Sequence, residues 1–361
     1  NRLNKMWFNN YERGKLTLDI ELTTNCNAKC PQCTRTDTDN NLNRMSWLKL
    51  KRVSIDDFKS WFALSELQKI KQFHFSGTYG DPGMCKDLYL IVEHIINNSK
   101  AYVSINTNGG MRDADFWFDL GAIGQKRLSL IFDVDGINQE MHQFYRRGVK
   151  LEKVLENLEA AAMTPAKIEV LTVLFKHNED YLNEIQEMCR DLGATHFDSV
   201  EGNNFKAGPI YKFNNENGNP EQLEQIIKIE SHQDAARLDR RVRDHRHKAV
   251  AKNIKCAAAE NFNLKINSDG MITPCCYVST ALGWASGMRD THPIDGYITD
   301  SGNHGDDINP LMKEFVDRRD DFTLGKTQFE TILKDSWFSK QLEESFKSRP
   351  VFACKKVCSI C

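Results

Sequence analysis

Between residues 16 and 201 the chain alternates short apolar runs with longer stretches in which apolar residues recur every three or four positions. The runs at 16–22, 71–76, 101–106, 128–133, 168–174 and 195–200 read as strands. The stretches between them read as amphipathic helices. One places Leu151, Val154, Leu155, Leu158 and Ala162 on a single face, and another does so with Leu182, Ile185, Met188, Cys189 and Leu192. A further helix starts near Ser54, where Ser54-Ile55-Asp56-Asp57 reads as a capping box. Six β/α repeats in a row predict an α/β fold with a parallel sheet and right-handed crossovers.

The pattern changes after residue 201. Residues 206–255 are polar, include the Gly/Asn/Pro-rich stretch 214–220, and predict a linker with a charged helix. That helix holds Arg237, Arg240, Arg241, Arg243, Arg246 and Lys248, interrupted by Asp239 and Asp244, and is expected to be a solvated face rather than a phosphate- or RNA-binding stripe. In the last segment, 256–361, Asn267-Ser268-Asp269-Gly270 reads as a tight turn between strands 262–266 and 271–273, because Asp-Gly supplies positive φ. A helix is expected over 328–347 and an exposed loop over 300–307. The expected divisions are therefore 1–205, 206–255 and 256–361.

With 361 residues, one large or two ordinary domains are expected. The 48 Lys and Arg against 50 Asp and Glu leave a net charge of −2, which offers no global attraction for nucleic acid or an anionic membrane. No run is long and apolar enough for a membrane span, and 88–96 is broken by Glu93 and His94. No signal peptide is visible, although the chain starts at Asn1 and could be trimmed. Eleven cysteines, odd in number and clustered, predict metal ligation in a reducing cytoplasm rather than disulfides.

The chemistry concentrates just after the first strand, where Cys26, Cys30 and Cys33 form Cys-x3-Cys-x2-Cys. Three thiolates from one loop can hold three irons of a [4Fe-4S] cluster and leave the fourth iron open. A zinc site more often pairs two Cys or Cys/His knuckles, and no His lies near this triad.

The stretch Cys26-Asn27-Ala28-Lys29-Cys30-Pro31-Gln32-Cys33 resembles the signature of the radical S-adenosylmethionine (radical SAM) superfamily, with Gln32 where that family usually has an aromatic residue. Other features follow in the family's order. Ser76-Gly77-Thr78-Tyr79-Gly80-Asp81-Pro82 resembles the Gly-Gly-Glu-Pro loop whose backbone meets the SAM amino group, with Tyr79 and Asp81 as departures. Thr107-Asn108-Gly109 and Asp133-Val134-Asp135-Gly136 end the third and fourth strands. The stretch from His142 to Gly148 resembles a His-x-x-x-Arg-Gly segment in which Arg146 or Arg147 would pair with the SAM carboxylate. The resemblance covers roughly 14–205, with a second match over 256–361. It implies a partial (β/α)6 TIM-type barrel followed by a small α+β iron-sulfur domain, with chemistry at the C-terminal ends of the strands. It also implies a cluster that binds SAM on its open iron, and reductive cleavage of SAM to a 5'-deoxyadenosyl radical that takes hydrogen from a substrate carbon. The SAM-binding residues would be Gly77, Tyr79, Gly80, Asp81, Pro82, Asn108, Asp133, Arg146 and Arg147.

The remaining cysteines extend the resemblance. Cys256 and Cys275, spaced around Gly270, and the closing Cys354-x3-Cys358-x2-Cys361 resemble the SPASM/twitch extension, which carries auxiliary [4Fe-4S] clusters. Six cysteines there, where two full clusters need about eight, imply one auxiliary cluster. Its ligands are expected to be Cys256, Cys275, Cys358 and Cys361, with Cys354 as the rival and Cys276 as a packing residue. Whether four thiolates close the cluster as an electron carrier or three leave an iron for substrate stays open.

Cys189, Cys85 and His74 read as core or helix-start residues, while His177 and Glu201, at or just beyond strand ends, are the candidates for catalysis. The expected substrate is a peptide or protein, or a small molecule such as a sugar or aminocyclitol. About fifteen residues precede the first strand, too few for a leader-binding winged helix, which lowers the leader-peptide option. An electron donor such as flavodoxin or ferredoxin is expected, and no membrane or nucleic-acid partner. The competing reading is a zinc-stabilised nucleic-acid-binding protein built on the basic helix.

Overall fold

The structure, a computed structural model, describes residues 6–202, 205, 208–226, 253–254, 256–261, 263–282, 308–351, 353–354 and 358–360. Six parallel strands carry the fold: β1 (Leu16–Ile20), β2 (Ile70–Phe75), β3 (Tyr102–Thr107), β4 (Leu128–Asp133), β5 (Lys167–Leu174) and β6 (His196–Glu201). They pair in chain order, each with the next, as right-handed β/α units require. The expected alternation of strands and helices is thus the observed one, and the six units form an open α/β barrel.

The helices behave as their patterns dictate. Ser54 caps α2 (Ile55–Trp61) through a complete capping box, its hydroxyl accepting from the Asp57 N–H while the Asp57 carboxylate accepts from the Ser54 N–H at 2.9 Å; α1 is Met6–Glu12. The helices α3 (Leu88–Asn98), α4 (Ala114–Gly124), α5 (Gln139–Tyr145), α6 (Leu151–Ala162) and α7 (Leu182–Asp191) fill the crossovers. On α6 the buried face is Leu151, Val154, Asn157, Leu158 and Ala161, turned slightly from the expected one. The turn brings Asn157 inward, where its Nδ2 donates to the Gly109 carbonyl at 2.7 Å. Cys189 is buried on α7, and Cys85 donates from Sγ to the Val53 carbonyl at 3.4 Å, so both serve packing.

Two segments depart from expectation. Within 206–255 the stretch 214–220 is the turn of an antiparallel hairpin, β7 (Ile210–Asn214) and β8 (Pro220–Glu224), rather than linker. Alternation of Tyr211 and Phe213 with polar residues was the available signal, and the charged helix at 237–248 lies outside the described residues, as does the loop at 300–307. The helix expected over 328–347 breaks. α9 (Phe329–Lys334) stops at Asp335, whose carboxylate accepts from the Trp337 N–H at 2.8 Å and so starts a new turn. An earlier helix, α8 (Pro310–Asp317), packs beside it through Phe315, Phe322, Trp337 and Phe338.

The predicted turn at 267–270 joins β9 (Asn263–Ile266) to β10 (Ile272–Thr273), with the Asn267 N–H bonded to the Met271 carbonyl at 3.0 Å. β9 runs parallel to β1, with Asp19 beside Lys265 and Ile20 beside Ile266. The main sheet therefore reads β10-β9-β1-β2-β3-β4-β5-β6, and the segment carrying the second cysteine group is continuous with the barrel sheet. Burial follows from period-2 alternation. Leu16, Leu18 and Ile20 of β1 are fully buried, while Asp19 on the opposite face meets Ser76 and Lys265. Among the described residues no helix is long and apolar enough to cross a membrane.

Gly270 sits at φ +85°, and a β-carbon there would lie 2.9 Å from the Leu324 carbonyl oxygen. Gly270→Ala is expected to cost about 1–2 kcal/mol from the left-handed backbone alone. A lowered urea midpoint with unchanged slope would show it, and an unaltered midpoint would contradict the turn as described.

Candidate functional site

The Cys26–Cys33 loop leaves the C-terminal end of β1 and is pinned on three sides. Thr23 and Thr24 bond the strand opposite, Thr24 Oγ1 donating to the Lys49 carbonyl at 2.7 Å and accepting from the Lys51 N–H at 2.8 Å. The Lys29 N–H donates to the Arg147 carbonyl at 2.9 Å, and Arg35 Nη1 donates to the Ala28 carbonyl at 3.2 Å. Cys30 is buried, while Cys26 and Cys33 are half-buried. Burial pushes the Cys26 thiol up to about 12, and the charges of Asp81 and Cys33 add to the effect. Burial also raises Cys30 and Cys33, against the pull of the Arg146 and Arg35 guanidiniums. Without a metal these thiols stay neutral, and a bound cation is what ionises them.

The loop after β2 packs directly against this one. The Asp81 N–H donates to the Asn25 carbonyl at 2.8 Å, and a β-carbon on Gly80 would fall 1.9 Å from the Thr23 carbonyl, so only glycine fits. Asp81 is buried with both oxygens of its carboxylate engaged: Oδ1 accepts from the Gly83 N–H at 2.8 Å and Thr107 Oγ1 at 2.9 Å, and Oδ2 accepts from the Asn108 N–H at 2.7 Å. Its side chain is therefore a brace between the ends of β2 and β3, and what faces the cysteine loop is backbone. Asn108 donates to Asn27 Oδ1 at 2.9 Å and lies 3.7 Å from Cys26 Sγ. The Tyr79 ring turns away and meets Trp47 edge-on at 5.8 Å. Pro82 opens a short 3-10 turn, and Gly77 closes against the Gly80 carbonyl, where a β-carbon would come within 1.6 Å.

Three contributors were not among the expected site residues. Glu21, fully buried, accepts from the Tyr79 N–H at 2.6 Å through Oε1, while Oε2 has no hydrogen-bond partner among the described residues. Desolvation raises its pKa to about 7 despite the opposing charge of Lys265. Asp135 is the second contributor. Arg146 donates from Nε to Asp135 at 2.5 Å and pairs through Nη1 with Asp133 at 2.9 Å. Burial lifts Asp133 to about 7, with Arg146 pulling down and Asp135 pushing up. The third is the β7–β8 hairpin, which lies over the cysteine loop. Tyr211 donates to the Pro31 carbonyl at 3.2 Å, the Asn214 N–H to Thr38 at 3.3 Å, and the Arg147 guanidinium bonds both Glu216 and Glu221 while stacking 5.2 Å above Phe213. Both arginines expected to meet a ligand carboxylate are thus engaged by two protein carboxylates each.

His177 and Glu201 lie at the C-terminal ends of β5 and β6, four and five strands from β1 in the sheet. His177 rests 4.6 Å from the Phe144 ring, its Nε2 without a hydrogen-bond partner among the described residues, and burial lowers its pKa. Glu201 is half-buried. His74 faces Ser104 Oγ at 2.7 Å inside the barrel.

The second cysteine group surrounds a cavity of about 220 Å³ lined by Cys256, Cys275, Cys276, Cys354 and Cys358. Backbone pairing of Asn253 with Ile360 and Ile254 with Ser359 brings Cys256 and Cys358 together, and the β9–β10 hairpin delivers Cys275. Cys354, the rival ligand, lies at this cavity; Cys276, expected to pack, is instead exposed and lines the cavity, and Cys361 lies outside the described residues. Burial pushes Cys275 up to about 12 and Cys354 higher, where the charges of Cys275 and Cys358 add.

Among the described residues no three His, Cys, Asp or Glu side chains converge on the single point that one ion needs. A four-iron cluster instead asks for thiolates on separate corners. The donor sets fit that demand: three mutually interacting thiols in one loop, and four or more around one cavity.

Comparison with known proteins agrees with this geometry. Residues 20–190 match the family described as the radical SAM superfamily. A protein of Methanocaldococcus jannaschii named probable GTP 3',8-cyclase is 21% identical over 327 residues, covering 85% of this chain and 95% of that one. A Tolumonas auensis protein named GTP 3',8-cyclase is 31% identical over 172 residues, covering 45% of this chain and 46% of that one. Native anSMEcpe with bound AdoMet shares the fold at TM-score 0.51 and 16% identity, covering 95% of this chain and 89% of that one. Streptococcus suis SuiB bound to precursor peptide SuiA does so at TM-score 0.52 and 14% identity, over 95% and 71%.

The raised carboxylates have a consequence for the metal-free protein. Glu21 and Asp133, with ordinary values of 4.5 and 3.8, hold their protons more tightly folded than unfolded. Their contribution to stability is full below those values and is lost as pH rises through about 7. Glu21→Gln mimics the protonated form and should remove up to about 3 kcal/mol of that loss. Urea midpoints taken from acid to mildly alkaline pH test it, and an unchanged pH slope would refute the placement of Glu21. The doubled Glu216→Gln/Glu221→Gln variant should speed amide exchange across 210–224 by about tenfold, the effect of about 1.4 kcal/mol. Equal exchange rates would show that Arg147 does not hold the hairpin.

Proposed function

The chain belongs to the radical SAM superfamily, and we propose that this radical SAM enzyme abstracts hydrogen from a carbon of a small, nucleotide-like substrate with a second iron-sulfur cluster seated in the cysteine cavity. The observation that carries the proposal is the pairing of β1 with β9. It puts the Cys26–Cys33 loop at the end of one strand and the cavity of Cys256, Cys275, Cys354 and Cys358 along the next, with Asp19 and Lys265 between them. A peptide and a sugar or aminocyclitol were the substrates expected from the sequence. The relatives named GTP 3',8-cyclase add a purine nucleotide, and one of them aligns along 85% of this chain, which favours that class.

Cys26, Cys30 and Cys33 would hold a [4Fe-4S] cluster, which would supply the electron for reductive cleavage of SAM. The protein's own residues prepare the place where this happens. Asp81 fixes the backbone of the 77–82 loop against the cysteine loop, and Glu21 holds the Tyr79 N–H so that the loop cannot swing. Gly77 and Gly80 remove the side chains that would keep the two loops apart. Arg146 brings positive charge towards Cys30, its direction set by Asp133 and Asp135. The β7–β8 hairpin covers Pro31 and excludes water from that side.

Purification without oxygen followed by iron, sulfide and zinc analysis is the test. About eight irons with matching sulfide are expected, four for each cluster. Cys30→Ala should abolish 5'-deoxyadenosine formation from SAM under reducing conditions while leaving about four irons. Retained SAM cleavage in that variant, or zinc without sulfide in the parent, would overturn the assignment. Addition of GTP that leaves the yield of 5'-deoxyadenosine unaltered, where a peptide raises it, would overturn the substrate class.

A further inference from the structure

Lys265 has entered so far only as a charge near Glu21 and a neighbour of Asp19, yet it is one of the more costly side chains in the fold. It lies mid-strand on β9 with 1% of its side chain exposed, and lines the same cavity as Cys256, Cys275 and Cys354. An ammonium so deeply buried survives only when paired. Its partner is Asp19 at 3.1 Å, with Ser76 Oγ at 3.4 Å, and Ser76 in turn donates to Asp19 at 2.5 Å. Glu21 adds further attraction, so the ammonium keeps its proton although burial opposes it. Asp19 needs no such partner to stay hydrated, being far more exposed than Lys265. The fixed positive charge therefore stands in the wall of the cysteine cavity, where it acts on Cys276 as well as on the ion pair.

Resting on the reading that the cavity holds an iron-sulfur cluster, we infer that Lys265 is a positioning charge that sets the reduction potential of that cluster. A cluster bound by thiolates becomes more negative when it accepts an electron. A buried positive charge at the cavity wall stabilises the reduced form more than the oxidised one, because little water screens the interaction. Asp19, which lines the same cavity, partly offsets it. The pair thus predicts effects of opposite sign, which mere loosening of the fold cannot produce.

The experiment uses the full chain with Cys26→Ala, Cys30→Ala and Cys33→Ala, leaving only the cavity to hold iron. Its one-electron midpoint is read by electron paramagnetic resonance during titration with dithionite. Lys265→Met should reduce the ratio of reduced to oxidised cluster about tenfold at a fixed ambient potential, a shift of about 59 mV to the negative. Lys265→Arg should stay near the parent, and Asp19→Asn should shift the other way. A Lys265→Met protein with full iron and the parent midpoint would overturn the inference. If Lys265→Met does not fold, Asp19→Asn decides: a positive shift supports the assignment and an unchanged midpoint sinks it. A triad-free chain that binds no iron or sulfide is a separate failure, that of the cluster in the cavity itself.

Discussion

Strand β1 is hydrogen-bonded on both edges, to β2 and to β9, and every chemical part of this protein hangs from that arrangement. An interior strand cannot slip, because a one-residue shift would turn Leu16, Leu18 and Ile20 out of the core. Its end is therefore a fixed point. The Cys26–Cys33 loop starts from it, the 77–82 loop comes from the neighbour on one side, and the cavity cysteines come from the neighbour on the other. The Glu21 N–H, one residue past β1, still bonds the Ile266 carbonyl at 2.9 Å, so the first bend of the loop is set by sheet pairing.

The second constraint is charge in a dry place. Around the cysteine loop stand Glu21, Asp81, Asp133 and Asp135, all buried or nearly so, against Arg146. Burial raises Glu21 and Asp133 to about 7 and keeps the thiols protonated. An interior biased in this way is poorly satisfied by protein groups alone. A cationic centre that ionises the thiols and draws on the carboxylates relieves it, which is why the same residues that look costly in isolation suit a metal cluster with a positively charged ligand.

Much of this was legible because it is local. The six strands follow from two-residue alternation and apolar runs, the Ser54 cap from four adjacent residues, the 267–270 turn from Asp-Gly, and the cysteine triad from spacing alone. What escaped depends on distant pairing. Glu21 looks like an interruption of an apolar strand until Tyr79 is placed beside it, 58 positions away. Lys265 reads as an exposed strand residue until Asp19 is found 246 positions earlier. Arg147 reads as a ligand for SAM until its partners Glu216 and Glu221 arrive from a hairpin that composition marked as linker. The break at Asp335 was hidden because the apolar pattern continues through it.

The engagement of the two arginines bears on how an anion could enter. Arg146 faces two buried aspartates that already occupy its Nε and Nη1, so a carboxylate approaching it meets an engaged guanidinium. Arg147 differs in a way that matters. Its carboxylates belong to the hairpin, are partly exposed, and leave the buried Nε without a partner among the described residues. Glu216 and Glu221 occupy the Nη1 and Nη2 ends of the guanidinium and leave its Nε edge, so the hairpin holds Arg147 from one side. The hairpin that composition marked as linker thus shares its principal anchor with the site it covers.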